Sequence, residues 1–321
     1  MKTLLTGDWH LDDASRNNYR FQFLTWLKTI LKKEQVSQLI VLGDLTADKE
    51  GHSAWLTNAI ADDVKSLADL CHVVVLMGNH YYLVSSNPFF EFLHHIPNVE
   101  WIGKPLMIGN ELLLPHTRNY KKDWKGLDFR GINTIFTHST FAGTKIQDQE
   151  LDGIPNNIFP EAIQVWSGDV HIPQRVGINI RYVGAPYTIN FGDTYQGRVV
   201  LLDGPGVQSI NYNGPQKRLI EVPHILSLAK YANRANEHDI IRIRIKLDQE
   251  SQGRWEEIKN SIKQWAEKNM FVLDSIQPIL EHRIAKSYKK VDKQSDEDLV
   301  KSFAKRTQVP PDTLKTGLKF L

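Results

Sequence analysis

The sequence predicts an α/β fold, with a layered β-sandwich over residues 1–212 and a small α+β domain over residues 213–321. Three observations predict it. Apolar runs of strand length alternate with amphipathic helical stretches at the start of the chain. From Thr134 to Leu202 the helical signal fades, and strand-like runs recur between turns. After Gly204-Pro205-Gly206 and Asn213-Gly214-Pro215 the pattern changes again, to an alternating strand followed by an amphipathic helix.

The elements follow in chain order. Thr3–Thr6 is an apolar run ending at Gly7 and reads as a buried strand. Phe21, Phe23, Leu24, Leu27, Ile30 and Leu31 recur at helical spacing with lysines between them. Gln38–Leu42 is a second strand, ending at Gly43, and Ser53–Leu70 a second helix with Ser53 at its N-cap. His72–Met77 (HVVVLM) is a third strand, ending at Gly78. The connections of this β-α-β-α-β series are long enough for parallel pairing. Thr134–Thr137, Ala162–Ser167, Ile180–Val183 and Arg198–Leu202 predict a second, more antiparallel sheet that completes the sandwich. Ile240–Leu247 alternates Ile with Arg and Lys as a half-exposed strand, and Trp255–Met270 is an amphipathic helix. A lysine-rich stretch, Lys286–Lys293, leads to helical segments split by Pro310-Pro311.

Composition narrows the class. With 321 residues, 41% hydrophobic and 24% charged, the chain reads as globular, neither disordered nor membranous. One cysteine, Cys71, excludes an internal disulfide framework and a cysteine-built zinc site. No run approaches the ~18 apolar residues of a membrane helix, and the opening MKTLLTGDWH is too short for a signal segment. No membrane association is therefore expected, and the cytoplasm is the expected compartment. The formal charge of +2 is unevenly spread. Residues 1–212 carry 18 Lys and Arg against 22 Asp and Glu, and residues 213–321 carry 21 against 15. An acidic first part suits cations, and a basic second part suits a polyanion.

Five short pieces carry the chemistry: Gly7-Asp8-Trp9-His10, Gly43-Asp44, Gly78-Asn79-His80, His138 in FTHS, and Gly168-Asp169-Val170-His171. Ligands in open α/β sheets bind beyond the carboxyl ends of strands, and most of these pieces stand there. Asp, His and Asn suit manganese, iron, zinc or magnesium. Asp8 and His10, one residue apart on a segment expected to be extended, should point the same way, as should Asp169 and His171. A two-metal site needs ions ~3.5–4 Å apart, and at that distance one carboxylate can bridge them. Each piece alone is more ordinary, as a turn, a cap or a core histidine. The combination in order is what points to a metal site.

These motifs resemble those of the calcineurin-like metallophosphoesterase superfamily: DxH, GD, GNH, H and GHxH. The closer resemblance is to the SbcD-type nucleases, which process DNA double-strand breaks with SMC-like ATPases. Gly168–Gln174 (GDVHIPQ) is similar to their GHIHxPQ. Tyr182–Asp193 (YVGAPYTINFGD), with Gly197-Arg198-Val199 after it, is similar to their Y-x-G-S-P-x-x-x-x-F-G-E…G segment, and it contains no metal ligand. The resemblance covers roughly residues 1–205. Its brevity beside cellular relatives suits a phage-like short form.

The resemblance implies a four-layer sandwich of two mixed sheets flanked by helices, with a C-terminal cap domain. It implies two divalent ions, with manganese favoured. Asp8, His10 and His171 would hold the first, Asn79, His138 and Asp169 the second, and Asp44 would bridge them. His80 would act as general acid or stabilise the phosphate. The implied activity is DNA exo- and endonuclease in repair, recombination or DNA degradation, beside an SMC-like ATPase, with a homodimer as a further expectation. The chain departs from the pattern at Asp169, where the family has His, at Tyr81, where it often has Asp or Glu, and after Asp44, where LTADKEGH is unusual. Two other readings stay open. One is a phosphatase or cyclic-nucleotide phosphodiesterase on the same fold. The other is a catalytically dead scaffold that binds DNA ends.

Secondary candidates are His52, Asp48 and Lys49 for substrate contact, Tyr81, Tyr82 and Phe89 for base stacking, and exposed Trp124 with Lys121, Lys122 and Lys125 for a nucleic-acid backbone. Lys286, Lys289, Lys290 and Lys293 could meet phosphates. The apolar pattern of Leu299, Phe303, Val309, Leu314, Leu318 and Leu321 could dock on a partner coiled coil. For each the ordinary reading, a core position or a solvated surface, stands beside the functional one.

Overall fold

A computed structural model describes residues 1–49, 51–81, 88–146 and 149–280, together with residues 300, 301, 303–305, 309, 313, 314 and 318. Strands β1 (Lys2–Thr6), β2 (Gln38–Val41), β3 (His72–Leu76) and β4 (Val99–Ile102) open the chain. There follow β5 (Leu106–Ile108), β6 (Glu111–Leu114), β7 (Thr134–His138), β8 (Thr144–Ile146), β9 (Gln149–Leu151) and β10 (Gln164–Gly168). Then come β11 (Gln174–Val176), β12 (Ile180–Tyr182), β13 (Arg198–Asp203), β14 (Gly206–Asn211), β15 (Lys217–Val222), β16 (Ile240–Leu247) and β17 (Val272–Leu280).

The first sheet runs β14-β13-β1-β2-β3-β4, with β1 to β4 parallel and β13 and β14 antiparallel. Strands β1, β2 and β3 are buried on both faces, which is why they are continuous apolar runs. Successive residues serve opposite cores. Leu4, Leu39, Val41, Val73 and Val75 face one core, which α1 (Tyr19–Glu34) and α2 (Ala54–Ala68) cover with Phe23, Leu27, Ile60 and Val64. Leu5, Ile40, Leu42, Val74 and Leu76 face the other core, against Leu113, Phe136 and Trp166 of the second sheet. Helix α2 starts as expected, with Leu56 N donating to Ser53 Oγ at 3.1 Å.

The second sheet runs β11-β12-β10-β7-β6-β5. The more antiparallel sheet expected from sequence is corrected here. Its four central strands are parallel, and only β5 and β11 at the margins pair antiparallel. The reason lies in the connections: residues 115–133 and 139–163 are long enough for crossovers, whereas hairpins occur only at the edges. The outer face of this sheet is covered by loops, the β8–β9 hairpin and the single-turn helix α3 (Tyr120–Asp123). Trp124 sits in that cover, buried and 5.6 Å from the Phe159 ring centre. The exposed basic–aromatic cluster expected there is therefore corrected. The indole closes the core, while Lys121, Lys122 and Lys125 remain exposed.

The third sheet, β15-β16-β17, packs Ile241, Ile243 and Ile245 against Ile258, Ile262 and Ala266 of α5 (Trp255–Lys268), which follows the short α4 (Gln249–Gly253). It is joined to the sandwich at Thr188. The Thr188 backbone N–H donates to Gln216 Oε1 at 2.8 Å, and Lys217 N donates to Thr188 Oγ1 at 2.6 Å. By compactness the chain divides into Met1–Ile279 and Leu280–Leu321. In the second unit Phe303 is exposed and Val309 N donates to Ala304 O at 3.0 Å. Tyr82, Lys286, Lys289, Lys290, Lys293, Leu299 and Leu321 lie outside the described residues. Among the described residues no helix is long and apolar enough to cross a membrane.

Candidate active site

All five motif pieces meet at one end of the sandwich, beyond the carboxyl ends of β1, β2, β3, β7 and β10. Backbone bonds lace the loops together. Asp8 N donates to Gly43 O at 3.0 Å, His10 N to Asp44 O at 3.0 Å, and Leu11 N to Leu45 O at 2.8 Å. The two sheets are tied by His138 Nδ1, which lies 2.5 Å from Leu42 O.

The Asp8–His10 segment is not extended as expected. Asp8 (φ 53°) and His10 (φ 44°) are left-handed, and Trp9 between them is fully buried. Asp44 (φ 53°) and Asp169 (φ 76°) share that conformation. Each such residue costs about 1–3 kcal/mol, and strain of this kind concentrates at functional sites. Two glycines make the approach possible. A Cβ on Gly78 would lie 2.1 Å from Asp44 Oδ1, and one on Gly43 would lie 2.3 Å from His138 Nδ1.

Three overlapping groups of ligand atoms each fall within 4.8 Å: Asp8, His10 and His171; His10, Asp44 and His80; and Asp8, Asp44 and His138. His10 Nε2 and His171 Nε2 are 3.0 Å apart. Asp44 is central. Its Oδ2 is 3.8 Å from His10 Nε2 and 3.6 Å from His80 Nε2, and its Oδ1 is 3.6 Å from His138 Nε2. Asp169 Oδ1 is 3.6 Å from His138 Nε2 and accepts from Asn79 Nδ2 at 2.7 Å. All eight expected residues are thus brought together.

The electrostatics favour added positive charge. Burial raises Asp8 above the usual carboxylate range, with Asp44 and Asp169 adding to the effect and His138 opposing it. Burial works against a charged His138, but Asp44, Asp169 and Asp8 outweigh it and push it up to about 9. His10 is held well below its ordinary value by burial and then by His171 and His80, and burial also lowers His171. Neutral imidazoles are the form that ligates metals. Asp8 Oδ2, Asn79 Oδ1 and His138 Nε2 are buried without a hydrogen-bond partner, as is His80 Nδ1. Buried polar atoms rarely go unpaired. Unpaired donor atoms of ligand type in a carboxylate-rich pocket fit divalent cations.

Several supporting residues had no individual role assigned from the sequence, although Tyr187 and Gln174 lie in the two stretches that carry the closer resemblance. Thr140 Oγ1 donates to Asp169 Oδ2 at 2.5 Å. Arg20, buried in α1, donates to His10 O and, at 3.1 Å, to Asp12 Oδ2. Tyr187 Oη donates to Trp9 O, so the YVGAPYTINFGD stretch braces the first ligand loop. Gln174 pins the loop after β7, accepting from Lys145 N at 2.9 Å and donating to Lys145 O at 2.9 Å. His116 Nδ1 lies 3.3 Å from His138 O.

Of the secondary candidates, His52 is tied by Nε2 to Thr46 Oγ1 at 2.8 Å and stacks 4.3 Å from the Phe89 ring. Phe89 is exposed and Phe90 fully buried, while Asp48 and Lys49 are exposed. Tyr81 closes the single-turn segment Asn79–Tyr81.

Residues 1–210 match the family model described as calcineurin-like phosphoesterase. The chain belongs to that family. The calcineurin-like family is one of metal-dependent phosphoesterases, and the clustered Asp and His side chains are of the kind such an enzyme requires. Among curated proteins, the chain is similar to the SbcD component of the nuclease SbcCD from Escherichia coli, in two strains. The identity is 26% over 259 residues, covering 63% of this chain and 64% of that protein. The match therefore spans less than two thirds of these relatives' length. Among solved structures, the Pseudomonas putida nuclease MPE is 16% identical, covering 62% of this chain and 84% of that one, with a TM-score of 0.33. That score is too low to carry an argument.

Proposed function

We propose that this calcineurin-like phosphoesterase is a two-metal nuclease that hydrolyses phosphodiester bonds in DNA. The observation that carries the reading is the convergence of Asp8, Asp44 and His138 with three unpaired buried ligand atoms between two sheets. Similarity to the SbcD component of a nuclease supports DNA as substrate. It also supports an SMC-like ATPase as partner and a role in DNA repair, recombination or degradation. A homodimer is part of the same proposal.

Asp8, His10 and His171 would hold one ion, and Asn79, His138 and Asp169 the other, with Asp44 shared. Bound there, the ions supply positive charge for the phosphoryl oxygens and ease the ionisation of water. The hard oxygen of Asp169, in place of an imidazole, favours manganese or magnesium over zinc. Arg20 and Tyr187 hold the backbone of the first ligand loop, and Thr140 fixes the Asp169 carboxylate. His80 stands at the mouth of the site, about a fifth exposed, with its backbone N–H on Asp44 Oδ1 at 3.2 Å. From there its ring would act as general acid toward the departing oxygen or stabilise the phosphate. Residues 213–321 are proposed as a cap that binds DNA or the partner.

The test is cleavage of end-labelled single- and double-stranded DNA with manganese, magnesium or EDTA, beside a generic aryl phosphodiester. Manganese-dependent DNA cleavage, reduced at least a hundredfold in Asp44→Ala and His80→Ala, is expected. Cleavage of the small ester alone would move the chain to the phosphatase or cyclic-nucleotide reading. Metal-independent DNA binding with no cleavage of either substrate would make it a scaffold.

A further inference from the structure

Away from the metal cluster, a cavity of about 570 Å³ opens at the margin where β11 and β12 of the second sheet face β13 and β14 of the first. Strand register explains its chemistry. Leu113, Phe136, Trp166, Arg181 and Arg175 are successive partners across β6, β7, β10, β12 and β11, so they form one row on one face. Leu113, Phe136 and Trp166 belong to the core between the sheets, and the row then ends in two arginines. From the first sheet, Arg198 lies two residues before Val200, which faces the same core. Arg198 therefore faces the cavity as well.

Three guanidinium groups thus line one cavity, and none of its lining residues is Asp or Glu. Among the described residues, no carboxylate pairs with Arg175, Arg181 or Arg198. Arg198 spends its donors on Val183 O at 3.1 Å and Ser209 Oγ at 3.0 Å, and Arg175 spends one on Ile178 O. Arg181 lies 5.3 Å over the Trp166 ring and keeps its guanidinium donors for other partners. The indole Nε1 of Trp166 is buried and also unpaired. Like charges directly opposite one another across a strand pair are unfavourable, and Arg175 and Arg181 are so placed. An anion between them would turn that repulsion into two charge-assisted bonds. The guanidinium fork matches the oxygens of a phosphate.

We infer that this margin is a binding site for a phosphate monoester carried on a nucleoside, separate from the metal centre. The volume lies within the ~300–1,000 Å³ usual for small-ligand sites. Val207 and Pro205, both exposed, give an apolar surface beside the arginines on which a flat ring can rest.

The test is calorimetric titration of the full chain in EDTA, which removes metal-dependent phosphate binding from the measurement. The probes are deoxyadenosine monophosphate, inorganic phosphate, deoxyadenosine and a 5′-phosphorylated oligonucleotide. Binding of the monophosphate is expected, weakened by added salt and by loss of the phosphate group. It should fall at least tenfold in an Arg175→Gln/Arg181→Gln variant whose melting temperature in the absence of ligand is no lower than that of the parent. Tighter binding of the oligonucleotide than of the mononucleotide would identify the phosphate as a strand end. Equal affinity in the variant and the parent, or no binding of any phosphate in EDTA, would overturn the site.

Discussion

At Gly78 the chain leaves no room for a methyl group, because Asp44 Oδ1 occupies the space a Cβ would take. Gly78→Ala should therefore displace the central carboxylate. A loss of about 1–3 kcal/mol is expected for such overpacking, read as a shift of the urea midpoint, together with loss of metal-dependent hydrolysis. Unchanged activity in a fully folded Gly78→Ala protein would show that Asp44 is not held by this contact. A second residue-scale expectation concerns pH. His138 is pushed up to about 9 by Asp44, Asp169 and Asp8 against the cost of burial. A proton retained up to that pH must leave before Nε2 can ligate. Manganese affinity should therefore rise with pH through neutrality and level off above about 9. Titrations from pH 6 to 9.5 check this, and affinity that is flat or falls with pH would contradict it. The candidate ligands themselves were legible in sequence because each belongs to a short motif beside a strand end. The roles of Thr140, Arg20 and Tyr187 were not, even though Tyr187 lies in a stretch that resembles the family. These residues act through single hydrogen bonds to a carboxylate or a backbone carbonyl, and such bonds leave no spacing pattern.

At the scale of elements, the core of the first sheet was readable because β1, β2 and β3 are buried on both faces and each runs into a glycine within two residues of its end. The second sheet was readable as strands but not as pairing. Ile135 and Val165 face the outer core and Phe136 and Trp166 the inner one, and that alternation fits parallel and antiparallel neighbours alike. Trp124 was misplaced for a similar reason. Its lysine neighbours Lys121, Lys122 and Lys125 are exposed, but one turn of helix points the indole inward. The segment after β12 can be tested as a brace. Tyr187 is fully buried, and its hydroxyl satisfies the carbonyl of Trp9, between Asp8 and His10. Tyr187→Phe leaves that buried acceptor unpaired, at a cost of about 1–3 kcal/mol. The variant should unfold at lower urea and bind manganese more weakly, with the remaining ligands intact. Weakened stability at unchanged metal affinity would make Tyr187 a core residue only.

Across the whole molecule, the two sheets divide the site between them. Asp8, His10, Asp44, Asn79 and His80 follow strands of the first, while His138, Asp169 and His171 stand at the ends of strands of the second. In the proposed assignment neither sheet alone supplies the ligands of either ion. The shared core of Leu5, Ile40, Leu42, Phe136 and Trp166 fixes one half against the other. The acidic balance of residues 1–212 suits the cation site proposed for it, and the basic balance of residues 213–321 suits the proposed nucleic acid. The measurement that bears most directly on the two-metal assignment is an anomalous difference map from manganese-soaked crystals of the full chain. Two peaks about 3.5–4 Å apart are expected, one beside Asp8, His10 and His171 and one beside Asn79, His138 and Asp169, with Asp44 touching both. A single peak, or none at Asp169, would contradict it.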